Sequence, residues 1–537
     1  MPEKFTFPFY YEPHPLCVLA AKSLQQEIVA QDYPLNSVDE SSDNGKMLGV
    51  LLVKNRQGEV GYLSAFSGQG VGHNNGPKFV PPVFDIFDEK GFFLIGQAEI
   101  NQLNQRISQL EENPEIAKLE QQLTTQRAGA EQQIQQHRQV MIAGRKERKV
   151  KRLSGKDELD EAKFEQLKIE LAKQSVEQKN QLKALNARWQ LWIKISEQQL
   201  QKITNDIMAL KQQRKQQSKS LQQVVFEHYD FLNINGAKQD LNTLFANTAR
   251  GQAPAGAGDC AAPKLLQYAF SQGLTPLALA EFWWGPPPKS EIRQHGLFYG
   301  SCQGKCQPIL AHMLEGMAID DNPLLINPAV GKTIDIVYED DAMVVINKPA
   351  GFLSVPGKNI TDSIYSRMAE QYPNATGPLI VHRLDMSTSG LMVIALTKQA
   401  HQRLQLQFIQ RSVKKRYIAL LVGELETDEG VIDLPLRVDL EDRPRQLVCY
   451  DYGKVAQTHW QVITRQLGQT KVYFYPITGR THQLRVHSAH IKGLNMPIKG
   501  DDLYGSAANR LHLHAESLEI AHPMTKKPMH FQVDATF

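Results

Sequence analysis

No stretch of the 537 residues approaches the roughly 20 consecutive apolar side chains that span a bilayer. The opening MPEKFTFPFYYEPHP also lacks the basic start and apolar core of a secretory leader. No membrane partner is expected, and the cytoplasm is the expected location. Cysteine is scarce as well: Cys17, Cys260, Cys302, Cys306 and Cys449 are too few and too scattered for a disulfide framework, which suits a reducing compartment. A net charge of +3 is too small to argue for a nucleic acid by itself, so the distribution of charge matters more. With 42% hydrophobic and 22% charged residues the composition is that of a globular protein, and at about 100 to 200 residues per domain it should hold three or four units.

Residues 1–100 mix aromatics, glycine and proline with the apolar runs MLGVLLV (47–53) and GFFLI (91–95), which read as strands of a small N-terminal domain. From 101 to 225 proline disappears after Pro114, and glutamine, lysine, glutamate and leucine dominate. Apolar residues there recur at spacings of three and four (Phe164, Leu167, Leu171; Leu182, Leu185, Trp189, Ile193), broken near Leu153–Asp157. An antiparallel helical coiled-coil hairpin is expected. It carries about eight more lysines and arginines than aspartates and glutamates, many of them between Arg145 and Lys149 and between Lys211 and Lys219. A basic arm on RNA is one reading; a solvated helical face with a dimer or intramolecular seam is the more ordinary one, since lysine-rich helix surfaces are common.

Residues 226–330 read as a connector domain with a helix at 263–272. Cys260, Cys302 and Cys306 with His295 and His312 invite a zinc site. The C-x3-C spacing without a second C-x2-C pair argues against it, so no metal is expected. Residues 331–537 alternate β-rich runs with an amphipathic helix at 399–410, the pattern of an α+β unit with a mixed sheet.

Chemistry concentrates in this last unit. HRLDMSTSG (382–390) sets Asp385 in a polar turn opening into an apolar strand, a rigid and exposed address for a catalytic carboxylate. GRTHQLRVH (479–487) crowds Arg480, His482 and Arg485 into a short span; a helix past Gly479 would put Thr481 and Arg485 on one face. Lys414, Lys415 and Arg416 precede Tyr417, an aromatic in a basic setting. Taken singly, Asp385 reads as well as a turn cap, the arginines as surface charges and Tyr417 as a core aromatic.

Taken together, these segments resemble the RluA-type family of RNA pseudouridine synthases. The resemblance runs in order through NKPAG (347–351), LSVPG (353–357), HRLD-x-x-TSG, KRYIA (415–419), GRTHQLRVH, GD-x-x-YG (500–505) and LHA (513–515), and covers about 200 residues. RPRQLVCY (443–450) is similar to the branch acting on both a ribosomal RNA loop and a tRNA anticodon arm. The resemblance implies a pseudouridine synthase fold and isomerisation of uridine within rRNA or tRNA, with no cofactor. By the same resemblance, Asp385 is the essential group, as nucleophile or as base on the ribose, Arg485 salt-bridges it, and Tyr417 packs on the base. Arg383, Arg480, His482, Lys415 and Arg416 would contact RNA. An S4-type RNA-binding module is not found; about 330 unfamiliar residues precede the matching region, and the coiled coil is the expected means of self-association or ribosomal-particle docking. The rival reading is an RNA-binding assembly factor that uses the catalytic fold as a clamp.

Overall fold

The computed structural model describes residues 1–30, 45–68, 79–86, 88, 91–440 and 442–537. Helix α1 (Pro15–Ala30) is followed by strands β1 (Lys46–Lys54) and β2 (Val60–Phe66). Three helices come next, α2 (Phe92–Glu111), α3 (Pro114–Glu158) and α4 (Glu161–Glu227). The chain continues through β3 (Asp230–Leu232), β4 (Lys238–Asp240), α5 (Leu241–Ala246), α6 (Ala261–Ser271), β5 (Thr275–Trp284), β6 (Phe298–Tyr299) and α7 (Gln303–Met313).

Strand β1 is apolar without alternation because both its faces are covered. Leu48, Val50 and Leu52 share a core with Cys17, Ala21 and Leu24 of α1, whereas Gly49 abuts Ala261 and Leu265 of α6. Its neighbours are β2 and β5 in a sheet of order β2-β1-β5-β6, with Leu51 opposite Leu63 on one side and Leu279 on the other. This corrects the expected separation of 1–100 from 226–330: β1 and β5 belong to one sheet, and 1–85 and 226–537 to one compact unit. The expected strand at 91–95 is instead the start of α2.

Residues 86–225 form the second unit. Helices α2 and α3 lie antiparallel to α4. Gln122 Nε2 donates to Ser196 Oγ (3.3 Å), Trp189 Nε1 to Gln133 Oε1 (3.2 Å), and His137 Nε2 meets the Gln178 carbonyl (3.0 Å). Asn113 caps α3, with Pro114 at its first position, which explains the break after α2. The turn lies at Leu159–Asp160, beyond the expected 153–157. Gly155 stays helical, and a Cβ there would stand 2.5 Å from Leu167.

The C-terminal region contains β7 (Asp335–Glu339), β8 (Met343–Lys348), α8 (Ile364–Gln371), β9 (Ser389–Ala395), α9 (Lys398–Ile409), β10 (Lys414–Val422), β11 (Glu429–Asp433), β12 (Leu436–Val438) and β13 (Gln446–Val448). It ends with β14 (Gln457–Gln466), β15 (Gln469–Pro476), α10 (Gln483–Ala489), β16 (Leu513–Ala521) and β17 (Pro528–Gln532). Nine strands make one sheet, ordered β11-β14-β15-β10-β16-β9-β8-β7 with β17 beside β16. The β9–β16 pair is parallel and the other pairs in this sheet are antiparallel, so the expected mixed α+β sheet is present. Gly390 makes the parallel junction possible: its φ is 115°, and a Cβ would sit 2.3 Å from the Ala515 carbonyl oxygen. The loop between β5 and β6 is tied to the β12–β13 hairpin by buried Arg293, whose Nη2 lies 3.2 Å from Asp442 Oδ2. Among the described residues no helix is long and apolar enough to cross a membrane.

Candidate active site

A cavity of about 1050 Å³ opens where the turn before β9, the start of β10 and the approach to α10 converge. Asp385 sits on its wall, half-buried, in a turn held from both neighbours. Ser354 Oγ donates to the Leu384 carbonyl (2.6 Å) and accepts from its amide (3.1 Å). On the other side, the Met386 carbonyl accepts from the Phe352 amide (3.0 Å) and from Lys348 Nζ (3.1 Å). Lys348 is fully buried and also donates to the carbonyls of Phe352 (2.7 Å) and Pro349 (3.1 Å). Burial pushes its pKa down to about 7 against the pull of the Asp385 charge. The carboxylate of Asp385 itself accepts no hydrogen bond from a described residue, which leaves both oxygens available to a ligand.

Tyr417 also lines the cavity, from β10. Burial first, and the Asp385 charge second, raise its phenol well above the usual range, so it is protonated at neutral pH. Lys415 lines the same cavity, its pKa pushed down to about 8 by burial and then by Arg411. Arg416 does not: its Nε is 2.8 Å from Glu516 Oε2 and its guanidinium lies over Tyr473. A local ion pair and a ring contact engage Arg416, off the cavity lining.

Arg383 is exposed at the rim, and Arg480 lines the cavity while its Nε donates to the Val455 carbonyl (3.0 Å). His482 has a left-handed backbone (φ 53°) immediately before α10, so the helix starts at Gln483 and Thr481 is not on a shared helical face with Arg485. Its Nδ1 meets the Tyr504 hydroxyl at 2.8 Å. Buried and engaged through this nitrogen, it forms part of the cavity wall. His382 is likewise structural: its Nε2 accepts from the Val393 amide (3.0 Å), and burial pushes its pKa down to about 3.

The expected Arg485–Asp385 salt bridge is replaced by another. Arg485, 3% exposed, grips Asp501 through Nε (2.8 Å) and Nη2 (2.6 Å) and reaches Asp502 at 2.9 Å. The turn after Gly500 explains the preference, since Asp501 Oδ1 also accepts from the amides of Leu503 (3.1 Å) and Tyr504 (3.0 Å). Burial alone would raise the Asp501 pKa, but the Arg485 charge and these hydrogen bonds outweigh it and hold the carboxyl below its usual range.

Two groups of the site region were not anticipated, one behind the Asp385 turn and one on the lining. Lys348 lies within the NKPAG segment, but only the fold shows it bracing the Asp385 turn. Tyr10, far from the C-terminal motifs, lines the cavity and hydrogen-bonds through its hydroxyl to Asp502. The aromatic density of FTFPFYY is its one sequence signal.

The pocket sets the unengaged Asp385 carboxylate and a protonated tyrosine on one cavity wall of a mixed sheet, and within this region residues 342–490 match the RNA pseudouridylate synthase family. The dual-specificity RNA pseudouridine synthase RluA of Yersinia pestis is 49% identical over 210 residues, which make up 38% of this chain and 99% of that protein. Its namesake in Escherichia coli K12 is 46% identical over 219 residues, 39% and 97% of the respective chains. Human RNA Pseudouridylate Synthase Domain Containing 1 is a solved structure with 28% identity and a TM-score of 0.34, covering 40% of this chain and 87% of that one. The chain belongs to the RluA-type family of RNA pseudouridine synthases, enzymes that isomerise uridine in RNA, and carries a long N-terminal extension besides.

Proposed function

We propose that this enzyme converts uridines of rRNA, tRNA or both to pseudouridine at the Asp385 pocket. The observation that carries the reading is the Asp385 carboxylate, braced through the backbone on both sides yet unengaged by any described side chain, in a cavity shared with Tyr417. The bacterial relatives are named dual-specificity RNA pseudouridine synthases, which fits more than one RNA target. A uridine inside folded RNA must be extruded first, at a cost of a few kcal/mol, and the cavity has room for the extruded nucleotide. Asp385 then acts on the sugar, as nucleophile at C1′ or as base at the ribose; the glycosidic bond at N1 breaks, the base turns, and C5 is rejoined. The neutral phenol of Tyr417 packs on the base. Arg383 and Arg480 meet the RNA backbone from the rim and wall, with Lys415 supplying further charge. Arg485 acts as a positioning residue through Asp501 and Asp502.

The same proposal gives the helical hairpin a supporting role, binding RNA or docking on a ribosomal particle through its basic residues. Release of tritium from RNA labelled at uridine C5 tests the chemistry: wild type should release it and Asp385→Asn should not. Full release by Asp385→Asn would overturn the assignment.

A further inference from the structure

Cys260 and the pair Cys302 and Cys306 are far apart in sequence but meet in the fold. Cys260 is the residue before α6 and Cys302 the residue before α7; Cys306 lies on the first turn of α7. Their three sulfurs all lie within 4.8 Å of one another, and Cys302 Sγ is 3.6 Å from Cys306 Sγ. Cys306 is 1% exposed, and the other two are half-buried.

We propose that Cys260, Cys302 and Cys306 form a thiolate site for a thiophilic divalent cation, zinc by chemical class. Zinc–thiolate bonds of about 2.3 Å in a tetrahedron place sulfurs about 3.8 Å apart. The Cys302–Cys306 separation of 3.6 Å already matches such an edge, and the third sulfur lies within a short approach. A disulfide would need a sulfur separation near 2.05 Å and would leave one of the three thiols over. Hydrogen bonding among the three sulfurs, with burial, raises Cys260 and Cys306 and lowers Cys302, and the helix ends add a pull toward thiolate. Two helix N-termini converge on the cluster, and their partial positive charge stabilises anionic sulfur. Neither Cys260 nor Cys302 spends its side chain on capping its own helix.

The supporting polar groups are in place too. Buried Glu281 accepts from the Ala262 amide (3.2 Å) and from the Ser301 hydroxyl, holding residues close beside Cys260 and Cys302. Lys264, 4% exposed on the same helix as Cys260, donates to the carbonyls of Phe66 (2.9 Å) and Gly68 (2.6 Å). Its charge offsets the excess negative charge of three thiolates on a divalent ion. The three sulfurs fill three tetrahedral positions and leave the fourth to a small exogenous ligand such as water. The bound ion would lock α6 to α7 beneath the sheet that carries the N-terminal strands.

The C-x3-C spacing concealed the site because the third ligand comes from a different helix. The test uses the full chain purified under reducing conditions with zinc supplied, and elemental analysis of the protein. About one zinc per chain is expected for wild type and for Cys449→Ser, falling at least tenfold in Cys260→Ser and in Cys302→Ser. Where a serine variant fails to fold, cobalt replaces zinc in wild type, and a thiolate-to-cobalt charge-transfer band with tetrahedral d–d bands is the expected signature. Wild type that binds neither ion, zinc content unchanged in the folded serine variants, or a Cys302–Cys306 disulfide in the reduced preparation would overturn the proposal.

Discussion

Asp385 and Asp501 are both aspartates of the site region, yet their surroundings set them opposite tasks. Asp501 is fully buried and neutralised by Arg485, so Asp501→Asn leaves a buried guanidinium without its bidentate partner. Loss of one partner of such a pair costs about 3–5 kcal/mol. Thermal unfolding should show a large drop in Tm for Asp501→Asn and almost none for Asp385→Asn, whose carboxylate holds up no described neighbour. Equal destabilisation by the two would refute the division of roles. Histidine burial makes a second prediction at the same level. His487 is fully buried with its pKa pushed down to about 4, mainly by burial, and His382 to about 3 for the same reason. Both are neutral when folded and take up a proton on unfolding once the pH is below about 6.5, so stability is lost as pH falls from there toward 4. Between pH 7 and 5, His487 alone costs about 2 kcal/mol. Glu281, raised to about 7 by burial, gains stability over the same interval and offsets about one histidine. His482, His490, His512 and His514 are shifted downward as well, so the urea midpoint should be lower at pH 5 than at pH 7. A higher midpoint at pH 5 would contradict this balance.

Gly390 links the carboxylate turn to the sheet. Any side chain there meets the backbone of β16, so Gly390→Ala should cost at least about 3 kcal/mol of stability and disturb the Asp385 turn along with it. Denaturant unfolding checks the first effect and activity the second; a neutral alanine would show that β9 and β16 can part without cost. How far such elements were legible in the sequence depended on whether their signal was local. Strands β8, β9, β10 and β15 and helices α6 and α9 announce themselves by β-branched runs or helical spacing. The start of α2 does not: GFFLI has the composition of a strand, but it opens a 20-residue helix whose later residues carry the period. The β1–β5 pairing was invisible because more than 200 residues separate the partners and no local pattern records register. In the pocket, Asp385, Tyr417, Arg383, Arg480, His482, Lys415 and Arg485 are all on the lining, as the motifs imply. The Arg485 partner was misassigned and Tyr10 missed, since each depends on which distant segment folds against the motif.

For the molecule as a whole, the helical hairpin is an insertion between residues that come back together: the Phe84 ring lies 5.3 Å from His228 and 5.8 Å from Tyr229. Replacing 92–224 with a short flexible linker should therefore leave the remaining chain folded and active on a small RNA. If the basic hairpin binds RNA, the deletion also makes the affinity for a large RNA less salt-dependent, because fewer counterions are released. An unchanged salt slope would remove RNA binding from the hairpin and leave it as a docking or self-association arm. The central claim, that the Asp385 pocket isomerises uridine in RNA, is tested most directly by tritium release from C5-labelled rRNA and tRNA pools. Wild type should release tritium from at least one pool, and Asp385→Asn should be slower by about 10³-fold or more while remaining folded. Release that is equal in the two proteins, or absent with wild type from both pools and from intact ribosomal particles, would contradict it.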